Sequence, residues 1–262
     1  MESKFTIQTP DFYKAIYKSK SYQIETIQLL GQISSQFAPP WDILDVGAGS
    51  GQLIKFLYPF SNKYIAIEPS SLMYESLVEY LKINKLNKVS SYNLTFEKYI
   101  KNFVESDFNV LIANFNVFNY LKYDEFISSI KKIDSKKGSK KIIAFDTWSL
   151  DYVLKKPSRM KSTLNFEIIK NDKRYKIKRL SNSNFIRNQN KLNIEFEFLQ
   201  TCPEKLFLGN EVHSIYPFDI NILRYDIEKF ASNFSVFPFP SQNAHNQKFD
   251  NFRNWLILIT LG

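Results

Sequence analysis

The 262-residue sequence predicts an α/β fold, in which one largely parallel, Rossmann-like sheet carries an antiparallel β insertion after its fifth strand. Three observations support this prediction. Short apolar runs alternate with helical segments up to residue 146, which is typical of right-handed βαβ units. The first apolar run leads directly into a glycine-rich turn. Beyond residue 148, several β segments separated by polar turns follow one another.

The first part of the chain is expected to form N-terminal helices followed by the parallel sheet. Apolar residues recur at helical spacing between Asp11 and Phe37, and Pro39-Pro40 then ends the helical region. Five apolar runs are predicted as strands: Ile43–Val46, Tyr64–Ile67, Val89–Tyr92, Val110–Ala113 and Lys141–Phe145. The helices predicted between them are Gln52–Leu57, Ser70–Ile83 and Tyr123–Ile133.

The second part is expected to hold the insertion and then to complete the sheet. The predicted β segments of the insertion are Phe166–Ile169, Arg174–Leu180, Leu192–Leu199 and Val212–Tyr216, with turns at Ser181–Asn184 and Arg187–Asn190. Asp219 is a candidate N-cap for a helix that extends to Phe230. Phe234–Phe237 and Trp255–Leu261 are predicted as the last strands.

Composition limits the possible classes of protein. The formal net charge of +9 either attracts an anionic or nucleic-acid partner or reflects solvated surface lysines, and the dispersed lysines favour the second reading. The single cysteine, Cys202, excludes an intrachain disulfide and a cysteine-rich zinc site. No His-x-x-His spacing occurs, so no metal is expected. The first residues do not resemble a signal peptide and no apolar run is long enough to cross a bilayer, which predicts a cytoplasmic protein without membrane contact.

The glycine turn is the most informative motif in the sequence. It reads Asp45-Val-Gly47-Ala-Gly49-Ser-Gly51 and lies between a predicted strand and a predicted helix. A dinucleotide site requires a small residue three positions after the second glycine, where this chain has Gln52. Asp45 would repel a pyrophosphate, whereas it would attract the ammonium group of a methionine moiety. Glu68 ends the next strand, where a carboxylate can accept hydrogen bonds from both ribose hydroxyls.

With these features, residues 40–146 resemble the class I S-adenosylmethionine (SAM)-dependent methyltransferases. The resemblance implies SAM as cofactor and S-adenosylhomocysteine (SAH) as product, bound in a single domain. The implied divisions are N-terminal helices (1–40), a cofactor-binding core (41–147), the antiparallel insertion (148–218) and the C-terminal completion of the sheet (219–262). The implied cofactor-binding residues are Asp45, Gly47, Ala48, Gly49, Gly51, Glu68, Pro69, Met73, Thr95, Phe96, Asn114 and Phe115.

Individual roles follow from the same resemblance. Met73 would pack on adenine, although helix core is an equal alternative. Thr95-Phe96 stands where many members place an acidic residue near the adenine amine, and the backbone amide of Phe96 would make that contact here. Asn114-Phe115 would border the sulfonium and the methyl acceptor.

The flanking segments resemble bacterial sugar methyltransferases, which include enzymes that N-methylate amino groups of nucleotide-linked sugars. The similar segments are Tyr13–Glu25, Phe115–Leu121, Asp146–Trp148, Pro157–Lys161 and Glu211–His213. The resemblance implies a small-molecule acceptor, such as a nucleotide-linked (amino) sugar. The amino-sugar enzymes carry His where this chain has Tyr120, and related members carry Arg where it has Tyr216. N- and O-methylation therefore both stay open.

Five residues are candidates for the acceptor side of the site. Tyr17, Tyr120 and His213 are candidate catalytic residues, and a general base is needed only for a hydroxyl acceptor. Trp148 and Arg159 are candidate substrate-binding residues, with Arg159 able to pair with a diphosphate. The alternatives are an RNA or protein methyltransferase, which only the net charge favours, and a non-catalytic cofactor-binding module. Nucleic acid is an unexpected partner, and the sequence is compatible with a monomer or a homodimer.

Overall fold

The computed structural model describes residues 9–18, 20–103, 108–134, 140–170, 173–202, 205–238 and 254–262. They form a seven-stranded sheet with helices on both faces and a separate four-stranded antiparallel sheet. The strands of the large sheet are β1 (Trp41–Val46), β2 (Ser61–Ile67), β3 (Val89–Tyr92), β4 (Val110–Ala113), β5 (Lys141–Trp148), β10 (Asn233–Pro238) and β11 (Asn254–Leu261). Those of the small sheet are β6 (Arg159–Lys170), β7 (Lys173–Ile186), β8 (Lys191–Cys202) and β9 (Leu206–Ile215).

The strand order of the large sheet reverses its direction at β1. The strands lie in the order β10-β11-β5-β4-β1-β2-β3, and only β11 runs antiparallel to its neighbours. The chain builds outward from β1 in one direction to β2 and β3, and in the other direction to β4 and β5. Ligands of open α/β sheets bind beyond the carboxyl ends of the strands at such a reversal, here between β1 and β4.

Eight helices occur in the described residues, and side-chain caps fix the starts of several. The helices are α1 (Thr9–Tyr17), α2 (Lys20–Gln36), α3 (Ile54–Leu57), α4 (Ser71–Ile83), α5 (Phe96–Asn102), α6 (Tyr123–Asp134), α7 (Leu150–Leu154) and α8 (Ile220–Ile227). The side chain of Ser70 accepts a hydrogen bond from the amide of Met73 at the start of α4. Asp219 accepts from the amides of Asn221 and Ile222, which confirms its prediction as an N-cap.

The core occupies both faces of the large sheet. Leu44 and Val46 of β1 belong to the cluster on one face, and Ile43 belongs to the cluster on the other. Because successive side chains of a strand point to opposite faces, a strand covered on both sides must be apolar throughout. This explains why β1, β4 and β5 could be located from short, continuous apolar runs.

The small sheet packs against α1 and against the end of the large sheet. Phe12 of α1 stacks on Phe198 of β8, with ring centroids 4.7 Å apart, and Ile177 completes this cluster. At the other end, Trp148 packs with Phe185 and other apolar residues of the small sheet. The N-terminal helix is thereby held close to the insertion.

The structure confirms the predicted fold class and corrects several elements. Helices α5 and α7 were not predicted, because each is short and lacks a long apolar stripe. Ser181–Asn184, predicted as a turn, lies within β7 and pairs with β6 and β8. Backbone pairing does not require apolar side chains on an exposed sheet, so polar residues extend these strands beyond the predicted limits. Arg187–Gln189 does form a turn.

The helices that the structure describes can be compared with the requirements for crossing a membrane. None of them combines the length and the apolar character that a bilayer crossing requires.

Candidate functional site

The glycine turn lies at the carboxyl end of β1 and is tied to β2. Gly47, Gly49 and Gly51 have φ angles of +69°, +59° and +86°, a region that favours glycine. The amide of Gly47 donates to the carbonyl oxygen of Ile67 at 2.8 Å. A β-carbon at Gly47 would lie 2.6 Å from Cγ2 of Val117 in the turn after β4. Both the backbone angle and the close approach therefore require glycine at position 47.

Glu68 is the residue that connects β2 to this turn. Its Oε2 accepts a hydrogen bond from the Gly49 amide and its Oε1 accepts one from the Ser70 amide, each at 2.8 Å. The side chain is buried, and burial raises the pKa of Glu68 against the opposing effect of the two backbone hydrogen bonds. Each carboxylate oxygen has lone pairs left, so both can accept from neighbouring hydroxyl groups.

Asp45 is a buried carboxylate, and one of its two oxygens accepts a hydrogen bond. The Tyr64 hydroxyl donates to Oδ2 at 2.8 Å, while Oδ1 is buried and has no hydrogen-bond partner among the described residues. Burial raises the pKa of Asp45 to about 7; the Tyr64 hydrogen bond opposes this rise and the charge of Glu68 adds to it. A cation near Oδ1 would satisfy the open oxygen and restore the charged form.

The carboxyl end of β4 is strained and carries a buried amide. Asn114 is 3% exposed, and neither its amide nitrogen nor its amide oxygen has a partner in the described part of the chain. Phe115 and Asn116 follow with φ angles of +72° and +58°. The amide of Asn116 donates to Oδ1 of Asp146 at 2.8 Å, which holds this unusual backbone in place. A buried, unpaired amide beside a strained turn is the arrangement expected of a ligand contact.

The proposed adenine side is built by α4 and by the unpredicted α5. Met73 is buried, and its terminal methyl lies 3.4 Å from the position of a β-carbon at Gly49. Thr95 caps α5 by accepting from the Lys98 amide at 3.4 Å. Phe96 is buried in the core, and its amide lies in the first helical turn, where amides have no partner within the helix.

A second group of polar side chains lies where the turn after β4 meets the small sheet. The Tyr120 hydroxyl is 2.7 Å from Nδ1 of His213, and Nε2 of His213 is 3.1 Å from Oε2 of Glu211. The Tyr13 hydroxyl donates to the same oxygen of Glu211 at 3.1 Å. These four side chains, together with Tyr17 and Arg179, are called the acceptor cluster below.

Tyr17 lies between the two groups. Its ring centroid is 4.8 Å from that of Phe115. Desolvation by burial raises the pKa of Tyr17, and negative charge at Glu68 and at Asp146 adds to the effect. Desolvation also raises the pKa of Tyr120, with the carboxylates of Glu211 and Glu68 contributing. Both phenols are therefore protonated at neutral pH, and each can donate a hydrogen bond.

Comparisons with known proteins identify the fold through structure alone. No protein-family model matches the sequence, and the search of curated proteins gives no match. A SAM-dependent methyltransferase from Clostridium acetobutylicum is similar over 96% of this chain and 98% of its own, with a TM-score of 0.68 and 15% identity. The chain has the class I methyltransferase fold.

Two further structures with this fold come from named sugar-modifying proteins. SAM-bound CalS10, an amino pentose methyltransferase from Micromonospora echinaspora, has a TM-score of 0.69 at 12% identity and is similar over 95% of this chain and 96% of its own. The sugar N-methyltransferase KedS8 from a Streptoalloteichus species has a TM-score of 0.68 at 14% identity, covering 95% of this chain and 91% of its own.

Within the class I methyltransferase fold, the predicted cofactor residues meet at one edge of the sheet. The glycine turn, Glu68 and Asn114 follow β1, β2 and β4; within the turn Ala48 is buried, and Pro69 is exposed. Among the described residues, no group of three or more His, Cys, Asp and Glu side chains is arranged to hold a metal ion.

The predicted substrate-binding residues lie in different surroundings. Trp148 is 7% exposed and packs in the apolar cluster between β5 and the small sheet. Arg159 is exposed at the first residue of β6, where it pairs in register with Asn184. Both roles stay predictions. The arginine that reaches the acceptor cluster is Arg179 of β7, which was not predicted.

Arg179, Tyr13 and Glu211 are the cluster residues that sequence reasoning missed as site residues. Arg179 stacks over the Phe196 ring at 4.5 Å, and its Nε is buried with no hydrogen-bond partner in the residues described. Glu211 and His213 are two positions apart on one strand, a spacing that places both on the same face and could have indicated Glu211. Tyr13 and Arg179 carry no comparable local signal.

The segment Phe115–Leu121, singled out by resemblance, joins the two groups. Val117 packs on the glycine turn, Asn119 is fully buried, and Tyr120 belongs to the acceptor cluster. The Asn119 side chain donates to the carbonyl oxygen of Tyr216 at 2.7 Å and accepts from the amide of Trp148 at 3.0 Å. The segment therefore holds the end of β5 and the return of the insertion together.

Proposed function

We propose that the chain is a SAM-dependent methyltransferase that acts on a small molecule, with a nucleotide-linked (amino) sugar as the acceptor. The single observation that carries this proposal is the position of Tyr17. It contacts Phe115 at the end of β4 and lies within electrostatic range of Glu68 on one side and of Tyr120 on the other. The residues proposed to hold the cofactor are thereby adjacent to a polar cluster that can receive an acceptor.

The residues present fit SAM in three respects. Asp45 offers a buried, open carboxylate oxygen for an ammonium group, and Glu68 offers two fixed oxygens for ribose hydroxyls. Asn114 offers an unpaired buried amide beside the strained turn. When bound, SAM supplies an electrophilic methyl group on a sulfonium with a neutral thioether as leaving group.

The chain's own contribution is binding, orientation and exclusion of water. The leaving thioether needs no proton, so catalysis depends mainly on holding the acceptor nucleophile close to the methyl group. Tyr17 and Tyr120 carry protonated hydroxyls that can hydrogen-bond the acceptor. An amine acceptor must arrive unprotonated, whereas a hydroxyl acceptor benefits from a general base.

The sugar acceptor is supported by the activities for which similar structures are named and by the chemical character of the acceptor cluster. CalS10 and KedS8 are named as methyltransferases of an amino pentose and of a sugar, respectively. The cluster is rich in hydroxyl groups and contains one guanidinium, Arg179, and one carboxylate, Glu211. Such a surface suits a small molecule with several hydroxyls and an anionic group.

Calorimetry with SAM and SAH tests the cofactor, and a panel of nucleotide-linked sugars tests the acceptor. We expect both sulfur compounds to bind with micromolar dissociation constants, and Asp45→Ala to weaken binding. The panel pairs sugars that carry a free amine with sugars that carry only hydroxyls, and methyl transfer is followed by mass spectrometry. The proposal is wrong if neither SAM nor SAH binds below millimolar concentration and Asp45→Ala has no effect.

A further inference from the structure

The hydrogen bonds of the acceptor cluster determine which nitrogen of His213 carries the proton. Glu211 is a carboxylate, which only accepts hydrogen bonds, and its Oε2 lies 3.1 Å from Nε2 of His213. Nε2 must therefore carry hydrogen. In the neutral imidazole Nδ1 is then an acceptor, and the Tyr120 hydroxyl 2.7 Å away donates to it. The order of donation is Tyr120 to His213 to Glu211.

The second hydrogen bond to Glu211 strengthens this order. The Tyr13 hydroxyl of α1 donates to the same carboxylate oxygen at 3.1 Å. Glu211 and His213 are mostly buried, with side chains 5% and 11% exposed. Tyr120 is 50% exposed and is thus the member of the chain that an incoming molecule can reach.

Among the described residues, Arg179 and Glu211 are the charged members of the acceptor cluster that holds His213. From β8, Phe196 presents its ring 5.2 Å from that of His213, and the guanidinium of Arg179 of β7 lies 4.5 Å from the centroid of the Phe196 ring. The charged or titratable groups around His213 are Glu211 on its own strand, Tyr120 from the turn after β4, Tyr13 and Tyr17 from α1, and Arg179 from β7.

We propose that Glu211, His213 and Tyr120 form a proton relay, in which the Tyr120 oxygen takes the proton of the methyl acceptor while His213 takes the proton of Tyr120. Glu211 is the positioning residue: it fixes the tautomer of His213 and stabilises the imidazolium that forms. The inference rests on the methyltransferase function proposed above and adds how the acceptor loses its proton.

The step balances in atoms and charge. The acceptor oxygen or nitrogen forms a bond to the methyl carbon, the carbon–sulfur bond breaks, and its electron pair stays on sulfur as the neutral thioether. The acceptor proton passes to Tyr120 as the Tyr120 proton passes to Nδ1 of His213. The imidazolium, paired with Glu211, then returns its proton to solvent. A phenol has an ordinary pKa of about 10, so a free tyrosinate is unfavourable at neutral pH, and the two transfers occur together.

Nitrogen NMR of histidine tests the tautomer without any acceptor. The chain has only His213 and His245, so in the full-length protein without cofactor His245→Gln leaves the signals of a single histidine. At pH 7.5 we expect His213 to be neutral with hydrogen on Nε2. Glu211→Gln should change the Nε2 shift, and Tyr120→Phe should change the Nδ1 shift. Hydrogen on Nδ1, or a fully formed imidazolium at pH 7.5, overturns the relay.

The relay itself is tested by measuring methyl-transfer rates with the acceptor that the panel of nucleotide-linked sugars identifies. With a hydroxyl acceptor, we expect Glu211→Gln and Tyr120→Phe to lower kcat by about 100-fold or more, the scale of general-base effects, with the KM for the acceptor unchanged. A purely structural role of Glu211 would instead raise the KM for the acceptor along with the loss of kcat.

A matched control is available elsewhere in the fold. The Tyr123 hydroxyl of α6 donates to Oδ2 of Asp226 at 2.9 Å, so Tyr123→Phe also breaks a tyrosine–carboxylate hydrogen bond. Tyr123→Phe should keep kcat within two-fold of the wild-type value. The relay is refuted if Glu211→Gln and Tyr120→Phe also stay within two-fold. Failure of the wild type to bind SAM or SAH would instead refute the proposed function, and the NMR result would still decide the tautomer.

Discussion

Asp45 combines an open carboxylate oxygen with a pKa near neutrality. The folded protein keeps a proton on Asp45 up to a pH of about 7, whereas the unfolded chain releases it near pH 4. The folded state therefore binds more protons than the unfolded state between these values. In the cofactor-free protein, the free energy of unfolding must fall as the pH rises through this window.

Asp45→Asn should remove this loss of stability at high pH and should weaken cofactor binding. At pH 8, without cofactor, we expect the variant to unfold with a free energy about 1–3 kcal/mol higher than that of the wild type. The free energy of SAM binding should become less favourable by about 1–3 kcal/mol, because a neutral amide cannot form an ion pair with an ammonium group. Urea unfolding at pH 5 and pH 8, and calorimetry, measure the two effects. Asp42→Asn, on the same strand but partly exposed, should change neither.

Glu68→Ala should affect both cofactor affinity and the glycine turn. The wild-type carboxylate accepts hydrogen bonds from the amides of Gly49 and Ser70. Its loss should weaken SAM binding by about 1–3 kcal/mol, and calorimetry measures this. Thermal unfolding should also occur at a lower temperature, because two amides lose their acceptor. An unchanged dissociation constant would contradict the ribose role of Glu68.

At the scale of elements, the turn after β1 and the turn after β4 pack against each other through one close contact. Gly47, after β1, lies against Val117, after β4, with no room for a β-carbon. We expect Gly47→Ala to lower the free energy of unfolding by about 1–3 kcal/mol, through the clash and the positive φ together. In Gly47→Ala with Val117→Ala, part of this loss should be recovered. Urea unfolding of the four proteins gives the coupling energy, and strict additivity would show that the clash is absent.

Elements of the large sheet were predictable where burial determined the side chains. β3 and β4 were predicted with the observed limits, and β1 with only Trp41 and Asp42 missing. The short α5 depends on the Thr95 cap, and α7 depends on Ser149, local signals that hydrophobic periodicity does not report. β6 and β7 exceed their predicted lengths because pairing between exposed strands needs only backbone groups.

At the scale of the whole molecule, Asn119 connects the large sheet to the insertion. Its buried side chain bonds to Thr147 and Trp148 of β5 and to Tyr216 at the return from β9. We expect Asn119→Ala to cost about 2–4 kcal/mol, because several buried partners lose hydrogen bonds. Urea unfolding measures the cost, and hydrogen exchange should accelerate at these three residues before it does in β1.

The control for that prediction is Asn193→Ala. Its Oδ1 accepts from Ser214 within the small sheet, so its loss should not loosen the junction. Equal acceleration in both variants would mean that Asn119 has no special role at the junction.

The two halves of the site differ in how far the sequence predicts them. The glycine turn and Glu68 belong to consecutive elements, and local spacing was enough to bring them together. The acceptor cluster depends on contacts across the chain: Tyr13 and Glu211 are 198 positions apart. Pairing at such separation follows from packing of α1 on the small sheet, and no local pattern encodes it. This is why His213 and Tyr120 were predicted separately, while their connection through hydrogen bonds was not.

The separate small sheet has a consequence for how proteins of this fold can diversify. The residues proposed to hold the cofactor follow strands of the large sheet, whereas Arg179, Glu211 and His213 belong to β7 and β9. Under the proposed function, substitutions on one face of the small sheet would alter which molecule is accepted without disturbing the residues proposed to hold the cofactor. A lineage would then change its acceptor through this four-stranded sheet while its proposed methyl-donor site is inherited unchanged.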